Sequence, residues 1–326
     1  MNSLEEYAFS HWMLLVFASL FLGGWIHSFK CARGSRFEMY YLDFMIGMVC
    51  SAALFLLLQS VFSRDVFLMM KTVWHEKRFL ATRAFFAGVL INLVNAFLLA
   101  STSFSGMSMT FLTVFGLGLM VDQGIYLYLY EASKEWCYFL SSFFLLLAIS
   151  RICLIQRTIR LGAAKKTIFL SCMGGICLGL FYTLFDRSLD TPTTGGLTPG
   201  IASLFLSLGM IFCYLFLGPV LWKNPIFGHP LDRYMYYKTP VRAHFLGILG
   251  GVIWFTAICL KLYGQNLPHE KDVFFAVQFA PLLAYIGGII FWKEIPKKLG
   301  YQASLYAIFS LYFLGVILMA YFRYGL

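Results

Sequence analysis

The chain has 326 residues, of which 60% are hydrophobic, 19% aromatic and only 12% charged, whereas about a quarter of an average soluble domain is charged. That balance excludes a soluble globular protein and marks an integral membrane protein. The net charge of +10 at pH 7 comes from Lys and Arg in the connections between apolar segments, a pattern of cytoplasmic loop bias rather than of nucleic-acid binding.

The apolar residues gather into segments of about 20 residues, long enough to cross a hydrocarbon core of roughly 30 Å as helices, unlike the ~10-residue alternating segments of a membrane barrel. Ten spans are predicted in chain order, at 8–29, 39–62, 79–101, 107–130, 136–154, 166–187, 200–222, 241–263, 273–292 and 301–323. The first follows Glu5 and Glu6 rather than a basic stretch and has no small-residue cleavage site, so it reads as a retained span and not a signal peptide. Asp122, Gln123 and Glu131 crowd the end of the fourth. The connections are short and leave no soluble domain.

Lys30, Arg33 and Arg36 follow span one, Arg151 to Lys166 surround the link between five and six, Lys223 to Arg242 lie between seven and eight, and Lys293, Lys297 and Lys298 lie between nine and ten. These loops are expected to be cytoplasmic, which puts both termini outside, in a cell (plasma or inner) membrane. Arg64, Lys71, Lys77 and Arg78, after span two, pull the other way.

The basic stretch 155–165 divides the chain into five spans (1–154) and five spans (166–326). An odd number per half forces opposite orientations, the inverted-repeat plan of many secondary transporters. An internal echo points the same way: Arg83-Ala84-Phe85-Phe86-Ala87-Gly88-Val89-Leu90 is answered by Arg242-Ala243-His244-Phe245-Leu246-Gly247-Ile248-Leu249. Gly23-Gly24 answers Gly174-Gly175, and Phe111 with Val114 answers Phe274 with Val277. The expected fold is therefore all-α and membrane-integral, with ten transmembrane helices as two inverted five-helix repeats.

Lipid gives helices no hydrophobic reason to associate, so Gly88, Gly247, Gly250, Gly251, Gly287 and Gly288 are read first as close-packing positions. Asn92 and Asn95 share one face of span three at i, i+3, and by the echo Asn95 corresponds to Trp254. An amide pair with an indole suits a flat, hydrogen-bonding solute; the alternative is that the amides join helices and Trp254 packs. Gln278 lies one turn from Pro281 in span nine, where the missing N–H leaves a carbonyl free to line a cavity. Ionisable groups within spans are candidates for coupling or gating: Asp43 at the inner end of span two, and Arg83 with Asp122 at similar depth, which are able to pair. Lys261 and Arg242 are expected to snorkel.

The eight cysteines, at positions 31, 50, 137, 153, 172, 177, 213 and 259, form no C-x-x-C pair, and no metal-ligand spacing, catalytic triad or phosphate loop appears. No cofactor, no metal and no nucleic-acid partner is expected, and the chain is not read as an enzyme.

The sequence resembles the ureide permeases of the drug/metabolite transporter superfamily. The resemblance lies in Leu22-Gly23-Gly24-Trp25, Tyr41-Leu42-Asp43, Gly88 to Asn95 on through Gly106 to Phe115, Leu197-Thr198-Pro199, and above all Gly250-Gly251-Val252-Ile253-Trp254, Tyr263-Gly264-Gln265, Val277 to Leu282 and Trp292-Lys293-Glu294. It implies ten spans and proton-coupled uptake of ureides and nucleobase-like heterocycles such as allantoin or uracil. Plant members carry a long central cytosolic loop with a phosphate-loop-like sequence, whereas here the link is the short 155–165. A sugar or other metabolite transporter of the same superfamily, and a membrane-embedded lipid-modifying enzyme, are the competing readings. The expected substrate contacts are Asn92, Asn95, Trp254 and Gln278; Asp43, Arg83, Asp122 and Pro281 are the expected coupling or gating residues. The partners are a small polar solute, the lipid bilayer and protons.

Overall fold

Long uninterrupted apolar runs fold as helices because lipid offers no partner to an unpaired backbone group. A computed structural model of the chain describes residues 3–32, 35–62, 71, 73, 75–130, 134–159, 164–189, 195–265, 270–296 and 300–324. It is all-helical, with no β-strand among these residues. In order, the helices are α1 (Ser3–Gly24), α2 (Ile26–Cys31), α3 (Phe37–Phe62), α4 (Arg78–Ser105), α5 (Met107–Tyr130), α6 (Glu135–Ile159) and α7 (Ala164–Asp186). They continue as α8 (Pro199–Lys223), α9 (Arg233–Lys238), α10 (Val241–Gln265), α11 (Glu270–Ile290) and α12 (Gln302–Tyr324).

Among the described residues nine helices are long and apolar enough to cross a membrane, and the chain is a multi-pass integral membrane protein. The ninth predicted span falls on α11, whose described apolar stretch, Val277–Ile290, is shorter than the others. Large side chains such as Leu57, Phe79, Phe143, Phe169 and Leu215 expose more than half their surface. Apolar surface of that extent is costly in water but matched by acyl chains. The short loop helix α9 was not foreseen from sequence.

The helix ends follow local chemistry. Pro199 opens α8 at a position where its missing N–H costs nothing. Between α4 and α5 the chain turns at Gly106, whose φ of 88° favours glycine. There the Glu294 carboxylate accepts hydrogen bonds from the Met107 and Ser108 amides, both at 2.9 Å, and from the Ser108 hydroxyl. A buried anion thus meets the positive end of α5, where free amides and the helix dipole both favour it.

The chain divides into two compact units, one of Met1–Leu93 with Leu184–Val273 and one of Val94–Thr183 with Phe274–Leu326. Each takes segments from both halves of the sequence. In the first, Trp25, Phe44 and Trp254 form an aromatic core, with ring centroids 5.0 Å and 6.0 Å apart along that chain. Tyr40 joins it, held by a 2.6 Å hydrogen bond to Ser28.

Two helix pairs in this unit use the same device. A Cβ at Gly88 would strike the Leu206 carbonyl, and one at Gly209 would strike the Phe85 carbonyl, which brings α4 onto α8. Likewise a Cβ at Gly47 would strike the Ile248 carbonyl, and one at Gly251 the Phe44 carbonyl, which brings α3 onto α10. In both pairs the glycine follows the struck carbonyl by three residues on each helix, so the contact is reciprocal. Small residues of this kind let van der Waals contact substitute for a hydrophobic drive.

In the second unit Leu145, Ile149, Tyr312, Val316 and Met319 are among the buried side chains that join α6 to α12. Ser141 donates 2.6 Å to the Gly315 carbonyl across the same contact.

Candidate functional site

Asp43 stands nearly two turns into α3 and is 2% exposed. Its Oδ1 accepts a hydrogen bond from the Tyr236 hydroxyl, and its Oδ2 lies 2.8 Å from His244 Nδ1. His244 Nε2 in turn lies 3.1 Å from the main-chain carbonyl of Tyr236. Three helices, α3, α9 and α10, therefore meet at one acid, one imidazole and one phenol. Burial first, then the hydrogen bond to Asp43 and its charge, raise the Tyr236 phenol well above its ordinary value, so it stays a donor. The sequence marked Asp43 but not its partners, because both lie about 200 residues away and one sits on the unforeseen α9.

Below this cluster, Gly247 leaves the room that Asp43 occupies, since a Cβ there would strike the aspartate side chain. The same loop is tied a second time: Arg36 donates to the Phe227 and His229 carbonyls at 2.8 and 2.7 Å while pairing with Glu38.

Along α4, Asn92, Asn95 and Thr102 lie on one face, by their spacing of three and seven residues. All three are fully buried, and none of their side-chain polar atoms has a hydrogen-bond partner among the described residues. Asn92 lies in the first unit, where the Tyr41 hydroxyl donates to its main-chain carbonyl at 3.3 Å. Asn95 and Thr102 lie in the second. Leaving a buried amide unpaired costs about 1–3 kcal/mol per group, so side chains kept in this condition are candidates to meet something polar that enters.

Gln278 in α11 is 3% exposed and its Oε1 likewise has no partner among the described residues. Pro281, one turn on, is buried within a helix that continues through it. Trp254 is 3% exposed and packs edge-on against Phe44, so its ring belongs to the aromatic core of the first unit.

The ionisable residues are distributed differently from the expectation. Asp122 forms an ion pair with Arg323 of α12, at 3.2 Å, and also accepts from Gln123 at 2.7 Å and Thr183 at 3.0 Å. Arg83, in the other unit, lies over the Phe79 ring, 4.3 Å from its centroid. Lys261 was expected to snorkel. Instead it is 6% exposed, with its ammonium 3.7 Å from Asp186. Snorkelling needs a clear path to the interface, and the neighbouring acid offers a nearer counter-charge.

Among the described residues no three His, Cys, Asp or Glu side chains group closely enough to hold a metal ion. An open, apolar groove of about 350 Å³ lies in the second unit against Leu117, Met120, Val121, Gly124, Ile125, Tyr128 and Tyr138.

No protein-family model matches the chain, and no curated protein sequence matches it significantly.

Proposed function

We propose that this chain is a secondary transporter of small polar metabolites, of the ureide-permease kind, working by alternating access. The observation that carries the reading is the pair of fully buried amides Asn92 and Asn95, whose side chains have no hydrogen-bond partner among the described residues, in a helix long and apolar enough to cross a membrane. The Oε1 of Gln278, unpartnered among the same residues, is alike in kind. Such groups are expensive in a packing helix and suited to a solute that replaces its hydration by hydrogen bonds to them. Amides both donate and accept, which fits ureides and nucleobase-like heterocycles.

The inverted ten-span plan draws support from the glycine contacts. Spans three and seven (α4 and α8) and spans eight and two (α10 and α3) are exchanged by moving five spans along the chain, and both pairs use the same reciprocal glycine-on-carbonyl contact. In that correspondence Gly88 answers Gly251, one helical turn beyond the Gly247 that the sequence echo aligns with it. Basic loops at the ends of spans one, five, seven and nine favour both termini outside. The coupling ion in this reading is the proton, and the acid of choice is Asp43.

Uptake of labelled allantoin, uracil, nucleosides and sugars into vesicles containing only the purified protein tests the proposal. Time-dependent accumulation that collapses with an uncoupler is the expected result. Absence of flux for every solute, with turnover of a lipid substrate instead, would establish the membrane-enzyme alternative.

A further inference from the structure

We infer that Asp43, His244 and Tyr236 form a binding site for a single exchangeable proton, and that this proton ties the loop helix α9 to α3 and α10. The argument is one of donors and acceptors. His244 Nε2 faces a main-chain carbonyl at 3.1 Å. A carbonyl only accepts, so Nε2 carries a hydrogen. His244 Nδ1 faces the Asp43 Oδ2 at 2.8 Å, and one proton must lie between them, on nitrogen in an imidazolium–carboxylate pair or on oxygen in a neutral one. In either form the pair holds one proton beyond that on Nε2, with net charge zero.

Removing that proton leaves a neutral imidazole with one N–H and two acceptors, the Asp43 carboxylate and the Tyr236 carbonyl. One contact must then be lost, whichever nitrogen keeps the hydrogen. Adding a second proton places it on Asp43 Oδ1, which turns the Tyr236 hydroxyl from donor to acceptor and replaces the attraction between imidazolium and carboxylate by a bond to a neutral acid, so the tie is weakened there too. The tie is therefore strongest at one proton: on the alkaline side it loses a contact outright and on the acid side it keeps its contacts without the charge assistance, so it peaks at intermediate pH and weakens in both directions. The Tyr236 hydroxyl donates to the remaining carboxylate oxygen and keeps the acid oriented.

The charged and titratable surroundings do not supply a substitute proton. Tyr40, on α3 itself, is hydrogen-bonded to Ser28, and Tyr214 of α8 packs edge-on against Tyr41. Both phenols stand near enough to feel the Asp43 charge. Arg36 and Glu38 at the start of α3 satisfy each other, and Tyr237 of α9 packs edge-on against Tyr236. The Arg36 grip on the Phe227 and His229 carbonyls is a second, proton-independent hold on the same loop, so loss of the proton frees α9 without releasing the whole connection. The use of this site for coupling rests on the transport reading; its existence as a proton site does not.

Hydrogen–deuterium exchange of the α9 amides in the full-length protein, corrected for the intrinsic pH dependence of exchange, reads the tie directly. Protection should peak at intermediate pH and fall roughly tenfold or more on the alkaline side, as expected for loss of one charge-assisted hydrogen bond. Asp43→Asn should abolish the pH response, whereas Tyr236→Phe, which keeps the pair, should lower protection but retain the response. A wild-type profile that follows intrinsic exchange alone overturns the site, and needs no variant. In vesicles, the Asp43→Asn protein should fail to accumulate labelled allantoin on an acid-outside gradient. Accumulation equal to wild type overturns the coupling role. If the wild type moves no solute, the transport reading falls while the exchange data still decide the proton site.

Discussion

Gly88 of α4 and Gly209 of α8 face one another across a helix contact so close that each lies against a carbonyl of the opposite helix, Leu206 for Gly88 and Phe85 for Gly209. A methyl group at either position has only backbone to displace. Gly88→Ala is expected to destabilise by about 1–3 kcal/mol, the usual range for overpacking a close contact. Gly24→Ala, where nothing lies within 4 Å, should be neutral or slightly stabilising. Thermal midpoints of the detergent-purified proteins compare the two; equal midpoints would remove the α4–α8 glycine contact from the account.

Asn95 separates a ligand-binding amide from a structural one. Asn95→Leu removes an amide that has no partner among the described residues and should leave stability unchanged or raise it by about 1–3 kcal/mol, while abolishing solute uptake. Asn95→Ala should abolish uptake with expression intact. Retention of wild-type uptake in either variant would mean that Asn95 does not read the solute. Gln278→Leu is expected to behave alike, with a smaller loss.

Glu294 is predicted to act in stability rather than in transport. Its carboxylate accepts three hydrogen bonds at the start of α5, where each charge-assisted bond contributes about 1.5–3 kcal/mol. Glu294→Gln presents an amide hydrogen to at least one of those donors, and should lower the thermal midpoint and the yield of folded protein. Ser108→Ala removes one bond and should cost about 1 kcal/mol. Unchanged midpoints in both would show that the cap contributes nothing.

The Asp122–Arg323 pair lends itself to a double-mutant cycle. Both side chains are partly buried, and Asp122 carries two further hydrogen bonds. Asp122→Asn and Arg323→Gln should each destabilise, and the double variant should cost less than their sum, with a coupling of about 0.5–3 kcal/mol. Strict additivity would mean that the charges do not interact.

Much of the fold was legible because lipid imposes a simple rule: a run of about 20 apolar residues must be a helix. The helices α3 to α8, α10 and α12 lie within a few residues of the predicted spans. Asn92, Asn95 and Gln278 were marked because an amide in such a run is rare, and all three are buried. The echo between Arg83–Leu90 and Arg242–Leu249 aligns Gly88 with Gly247. The glycine of α10 that lies against a backbone carbonyl is Gly251, one helical turn beyond the echoed Gly247, which lies against the Asp43 side chain instead.

The sequence by itself determined the class of protein and the places where helices run, since each depends on local hydropathy alone. The tertiary structure decided who meets whom. It gave Asp43 an imidazole and a phenol from beyond its own helix, gave Asp122 the distant Arg323, drew Lys261 toward Asp186, and set Trp254 into an aromatic core. Pairings of this kind depend on where helices cross, as α4 crosses α8 and α3 crosses α10 where glycines meet carbonyls of the opposite helix, a fact that no single stretch of sequence contains.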